Sequence, residues 1–219
     1  IPILPSLLII AGAIFDFFDG FTARALKVSC PIGKELDSLA DVITFGLAPS
    51  LITVELLKIQ TSFPDYAGLI CFIPLLMALM SAYRLAKFNI DERQSTSFIG
   101  LPTPANALLW LSLPLIVYLS ENKIHLWGLY SERIYAAITA FLVNPYFICI
   151  TSLIMAVLLV SELKMFALKF KNFTWQDNKI KFIFLLSCLV LLFVLNCFAI
   201  PFIVLLYIII SIITNTFKR

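Results

Sequence analysis

An all-α bundle of membrane-spanning helices is the fold class that this sequence predicts, on three observations. Apolar residues make up 61% of the chain and charged residues only 13%, whereas soluble domains carry about 25% charge. The mean hydropathy is +1.01. The apolar residues also fall into separate runs long enough to cross a bilayer. One core in a chain of 219 residues cannot hide that much apolar surface, so lipid has to solvate much of it. In lipid every backbone polar group must be satisfied internally, which selects helices for runs of this length.

Taken in order, the first run covers 4–21 and continues as helix toward Ala25. The second covers 39–59, the third 67–88 and the fourth 105–119. The stretch 134–143 is ambiguous; Asn144-Pro145 interrupts it before a fifth run at 146–160. The tail, 180–217, is too long for one span and divides near Asn196 to Pro201, giving two short helices and seven spans in all. Pro64-Asp65 with Gly68 marks a short turn, and Gly100-Leu-Pro-Thr-Pro opens the fourth span, where proline is tolerated in a first turn. The stretch from Lys169 to Lys179, with Trp175, reads as an interfacial loop or surface helix. Residues 1–165 form the expected catalytic membrane domain, and 166–219 the interfacial segment with two further helices.

The basic residues orient these spans, because Lys and Arg are retained on the cytoplasmic side. Of 16, thirteen fall in or beside alternate connections, including Arg24, Lys27 and Lys34, then Arg84, Lys87 and Arg93, then Lys164 to Lys181, then Lys218 and Arg219. Only Lys58, Lys123 and Arg133 lie on the opposite side. This split predicts a cytoplasmic connection between the first two spans, in a bacterial cytoplasmic membrane, and an external start for the visible chain. No signal peptide is visible, and a segment ahead of Ile1 is expected.

Composition also excludes several functions. A net charge of +3 is too small and scattered for nucleic acid. The five cysteines show no metal-ligand spacing and suggest neither zinc nor a disulfide, and the single histidine, His125, sits in a loop beside Trp127. Thiolate or imidazole chemistry therefore has little to stand on.

Aspartates are the exception to the apolar pattern. Asp16 lies deep in the first run, where an ionised carboxylate costs several kcal/mol unless it faces a polar interior. Asp16 and Asp19, three apart, share a helical face; so do Asp37 and Asp41, four apart, after a break at Pro31 to Gly33. Ser38 and Thr44 add oxygen near that second face. Two helices joined by a short loop can gather these four carboxylates, whose mutual repulsion calls for cations. Oxygen-only donors suit Mg²⁺ or Mn²⁺. Two such ions can hold phosphates and stabilise charge on a transferring phosphoryl group. The residues alone leave open a carboxylate set that binds transported cations, as in a cation-coupled transporter, or that maintains a structural network.

The stretch Asp16-Phe-Phe-Asp19-Gly20-Phe-Thr-Ala23-Arg24, followed after eight residues by Gly33-Lys-Glu-Leu-Asp37-Ser-Leu-Ala-Asp41, resembles the full signature of the CDP-alcohol phosphatidyltransferase family. No signature position departs from it. Val42 to Pro49, Arg84-Leu-Ala-Lys-Phe-Asn89 and Phe98-Ile-Gly-Leu-Pro-Thr-Pro104 look like the branch whose acceptor is L-serine. Branches that use glycerol 3-phosphate or an inositol phosphate are the nearest alternatives, and a catalytically inactive lipid-binding scaffold is a more distant one.

The resemblance implies transfer of a phosphatidyl group from CDP-diacylglycerol to the alcohol, with release of CMP. It implies that Asp16, Asp19 and Asp37 ligate two divalent ions, and that Asp41 ligates one ion and is the general base on the acceptor hydroxyl. Gly20 and Ala23 would admit the nucleotide close to the helix. Gly33 would do the same or simply start its helix, and Arg24 would contact phosphate or pair with an aspartate. Arg84 would meet the acceptor, with Ser38, Thr44 and Asn89 as further candidates there, while Lys87 reads as an anchor. The resemblance also implies a homodimer, a lateral opening for the acyl chains and a family first span ahead of Ile1.

Overall fold

The computed structural model describes residues 3–26, 30–59, 68–91, 98–124, 131–166 and 174–217. Helix α1 spans Leu4–Leu26 and α2 spans Pro31–Asp41. Proline at the first helical position of α2 follows an extended Cys30 (φ −126°, ψ 127°). That position needs no N–H donor, so Pro31 starts the helix at no cost in hydrogen bonds. The helix then passes through a π-helical segment, Val42–Leu47, into α3, Ala48–Ile59. The second span therefore begins a full two turns before its apolar run, and its early part carries Asp37 and Asp41.

A 3₁₀ turn, Ile70–Phe72, leads into α4, Leu75–Ile90, and α5 covers Thr103–Glu121. Helices α6 (Glu132–Leu142) and α7 (Pro145–Val160) are bent 61° to one another. The Asn144 side chain accepts hydrogen bonds from the backbone N–H groups of Tyr146 and Phe147, and Pro145 occupies the first position of α7. An N-cap and a proline together stop one helix and start another. In the tail, α8 (Trp175–Leu195) and α9 (Ala199–Phe217) flank a 3₁₀ turn at Asn196–Phe198, with Asn196 at φ 59°.

Five helical stretches are long and apolar enough to cross a membrane, or six with the bent pair as one span. Dividing the stretch Asn178–Asn215 at Asn196 adds one, which returns the seven expected spans. The chain is an integral membrane protein. The stretch 60–67, His125 and Arg93 lie outside the described residues, as do 167–173 of the expected interfacial segment.

Polar contacts gather where helix ends meet. At one end Lys34 Nζ donates to the Asn89 carbonyl (3.4 Å) and Lys87 pairs with Glu162. There too, strand β1 (Phe98–Ile99) pairs antiparallel with β2 (Lys164–Met165). At the other end Lys123 pairs with Glu132 at 2.6 Å. Gly100, at φ +76°, closes the first group: its N–H donates to the Leu163 carbonyl, and a Cβ there would lie 2.4 Å from the Leu159 carbonyl oxygen. Only glycine fits that conformation and that approach. The motif from Phe98 to Pro104 thus fastens the start of α5 to the end of α7.

The main core cluster runs from Leu56, Leu57 and Met77 through Trp110, Ile116 and Ile148 to Phe184, Phe198 and Tyr207, and a second, smaller cluster joins Ile9, Phe45, Ala107 and Leu111. Large apolar side chains elsewhere point outward, among them Phe15, Leu51, Val157, Leu186 and Phe193. An apolar exterior over a packed interior is the expected form in lipid.

Candidate active site

The site begins with two helical stripes. On α1, Gly12, Asp16, Asp19 and Gly20 recur at helical spacing. On the next helix Gly33, Lys34, Asp37, Asp41 and Thr44 do the same, with Cys30 just ahead of its first turn. Both sets line one cleft of about 780 Å³. The stripes come close because Gly12 faces Thr44: a Cβ on Gly12 would stand 3.1 Å from the threonine methyl. Just past Asp41 the π-helical segment meets α4 at a similar approach, where a Cβ on Gly46 would lie 2.9 Å from Ser81 Cβ. Single π-turns recur at functional sites because they re-aim the side chains beside them.

All four signature aspartates line this cleft. Asp16 and Asp41 are half-buried, while Asp19 and Asp37 are exposed at its mouth. Asp16 lies within electrostatic reach of Asp37 and Asp19, with the Asp37 carboxyl at hydrogen-bonding range, and Asp41 lies within reach of Asp16 and Asp37. Among the described residues none of the four forms an ion pair with a Lys or Arg. Nor do three acidic, imidazole or thiol groups converge tightly enough to enclose an ion, so the carboxylates ring the cleft and do not close a cage. The donor chemistry nevertheless fits hard divalent cations: oxygen donors and, among the described lining residues, four carboxylates against the one cation of Lys34.

The remaining predicted residues divide. Gly20, Gly33 and Thr44 line the cleft. Arg84 does not; it is 7% exposed, sits within electrostatic reach of Asp41, and its Nε is buried without a hydrogen-bond partner. Asn89 Nδ2 donates to Ser38 Oγ at 2.9 Å, so these two tie α2 to the end of α4. The side chains of Ala23 and Arg24 lie outside the described residues. Sequence reasoning passed over two participants. Lys34 lines the cleft, and its spacing from Asp37 and Asp41, three and seven residues, was the available signal. Gly12 matters through packing alone.

Two apolar grooves adjoin the cleft. One, about 510 Å³, runs between α1 and α3 past Leu8, Ile9, Ile43 and Leu51, and shares Gly12 and Thr44 with the cleft. The other, about 280 Å³, lies between α1 and α5 and shares Phe45.

Comparison with known proteins agrees with this architecture. The family model for CDP-alcohol phosphatidyltransferase matches residues 3–143. A Helicobacter pylori (strain J99) protein named CDP-diacylglycerol–serine O-phosphatidyltransferase is 33% identical over 208 residues, covering 94% of this chain and 77% of that one. Proteins of the same name from Bacillus subtilis (strain 168) and Methanocaldococcus jannaschii are each 40% identical. Their matches cover 45% and 47% of this chain and 52% and 46% of theirs, so the similarity spans about half of those relatives. With the signature on the walls of one cleft and the family match over most of the chain, this protein belongs to the CDP-alcohol phosphatidyltransferase family.

Proposed function

We propose that this chain transfers the phosphatidyl group of CDP-diacylglycerol to L-serine, giving phosphatidylserine and CMP. The observation that carries the reading is the placement of all four signature aspartates around one cleft, in a chain whose Helicobacter relative is named for that reaction. The family is generally dependent on divalent metal. In this reading Asp16, Asp19, Asp37 and Asp41 hold two ions, Mg²⁺ or Mn²⁺. When bound, these would neutralise the pyrophosphate and the leaving nucleotide.

The protein's own groups do the rest. Gly20 and Gly33 leave the cleft wall low, so a nucleotide can lie against the helices, with Ala23 and Arg24 on the following turn of α1. Lys34 places a cation at the rim for the phosphates. The serine hydroxyl is a weak nucleophile, and Asp41 is the base that takes its proton as oxygen attacks the phosphatidyl phosphorus. A serine O–P bond forms, the bond from that phosphorus to CMP breaks, and CMP leaves with the electron pair. Arg84, buried and off the cleft wall, lends its charge to the acceptor side from behind Asp41, while Thr44 lies on that wall and the Ser38–Asn89 pair braces α2 against α4. The apolar grooves support a lipid substrate whose acyl chains stay in the membrane while its headgroup enters the cleft. The basic-residue split supports a cleft facing the cytoplasm of a bacterial cell. A homodimer, with 166–219 an extension of the catalytic domain, completes the reading.

The test is CMP release by purified protein from CDP-diacylglycerol with Mg²⁺ or Mn²⁺ across a panel of acceptors. Release with L-serine alone is expected, abolished by chelator. Release with glycerol 3-phosphate or an inositol phosphate moves the chain to another branch, and no release with any alcohol overturns the enzymatic reading.

A further inference from the structure

Asn89 fastens α4 to α2 at two successive turns. Its side-chain Nδ2 donates to Ser38 Oγ at 2.9 Å, and its backbone carbonyl accepts from Lys34 Nζ at 3.4 Å. Lys34 and Ser38 are four residues apart, so they stack on one face of α2. Lys34 lines the cleft, and Ser38 stands behind its wall. The far side of α4 is held as well: it packs on α7, and Lys87 in its last turn pairs with Glu162, just past the end of α7. The last turn of α4 is therefore a fixed post against which α2 is set.

The two bonds are of unequal strength. The amide-to-hydroxyl bond has ordinary length and joins half-buried groups, whereas the lysine bond is long and exposed. Asn89 is the penultimate residue of α4, where a helix runs out of N–H donors for its carbonyls and gathers partial negative charge. That charge draws the ammonium, but a phosphate in the cleft would bind the same ammonium more tightly, because a bond between two ions is shorter and stronger. The carbonyl thus parks Lys34 at the rim without retaining it. The bond to Ser38, one turn further along α2, keeps that turn at its distance from the post whether or not the lysine is parked.

We infer that Asn89 is a positioning residue: through Ser38 its side chain sets the part of α2 that carries Lys34, and so aims the lysine at the diphosphate of the CDP-linked lipid. The inference rests on the proposed reaction. It puts the Asn89–Ser38 brace to work on the nucleotide side of the site, away from the acceptor.

The test reads the Kd for CDP-diacylglycerol on the full chain, with Mg²⁺ or Mn²⁺ and no acceptor. Asn89→Ala and Ser38→Ala are each expected to raise it about 5-fold, the effect of one lost polar contact, and the double variant no further. Ser38→Thr keeps a hydroxyl there and is expected to keep the wild-type Kd. In a Lys34→Gln background Asn89→Ala is expected to add little, because the group it aims is gone. The KM for serine, read from CMP release, is expected to stay as it is. An unchanged Kd in Asn89→Ala overturns the inference, and so does an equal effect with and without Lys34, which would make the role one of packing alone. A raised serine KM with an unchanged Kd overturns it too, by setting Asn89 against the acceptor. Wild-type protein that binds the lipid and releases no CMP with serine refutes the proposed reaction only, and the same Kd comparison still decides the positioning role. Wild-type protein that does not bind the lipid overturns both.

Discussion

Asp41 and Lys34 share one helical stripe and carry opposite charges. Asp41 is half-buried beside Asp16 and Asp37. Asp41→Asn keeps the shape and removes the proton acceptor, so turnover is expected to fall on the order of 100-fold or more. Affinity for a CDP-linked lipid, measured by direct binding, should change far less. Wild-type turnover would remove Asp41 from the role of base. Lys34 stands at the rim of the cleft and also donates to the Asn89 carbonyl. Lys34→Gln is expected to raise the KM for CDP-diacylglycerol about 10-fold, with Lys34→Arg recovering most of it. An unchanged KM would reduce this lysine to a clamp between α2 and α4. The aspartates were legible because charge in an apolar run has few bland explanations. Lysine near a membrane surface has a common one, and only the cleft lining separated Lys34 from the other basic residues.

At the scale of elements, the unbroken helix from Pro31 to Ile59 decides where the site sits. Its apolar run begins near Leu39, but its helix begins eight residues earlier, which lifts Asp37 onto the same rod as the buried half. The rod bends its register through Val42–Leu47, where Gly46 touches Ser81 of α4. Gly46→Ala would drive its methyl into Ser81, and such overpacking costs about 1–3 kcal/mol. Ser81→Gly in the same chain should restore most of that loss, read as a recovered melting midpoint. If the double variant is no better than the single one, this contact does not set the π-helical segment. Proline and asparagine announced the break at Asn144-Pro145 in advance, since capping is local chemistry. The π-helical segment had no such announcement, because it answers a neighbour distant in sequence.

At the scale of the whole molecule, the described ion pairs Lys87–Glu162 and Lys123–Glu132 lie at helix ends, while large apolar side chains are exposed along the helices. Cys30 lines the cleft and is exposed, whereas Cys71 and Cys149 are buried. A membrane-impermeant maleimide is therefore expected to label Cys30 in inside-out vesicles and not in intact cells, and CDP-diacylglycerol should slow that labelling. Labelling from the outside would invert the orientation drawn from the basic residues. The motif from Phe98 to Pro104 does not line the cleft; Phe98 and Ile99 pair with Met165 and Lys164, and the Gly100 N–H on the Leu163 carbonyl helps hold the start of α5 to the end of α7.

Membrane residence, the succession of apolar helices and the four aspartates were legible in the sequence itself. Each follows from composition, from local periodicity or from a signature within 26 consecutive residues, 16–41. What only the tertiary structure decided is what stands behind those aspartates. Arg84 of α4 lies within electrostatic reach of Asp41, Asn89 meets Ser38 across 51 positions, and Lys34 meets the Asn89 carbonyl across 55. These meetings depend on how apolar helices pack against one another. That choice is made by shape over long sequence separations, and no local pattern of residues records it.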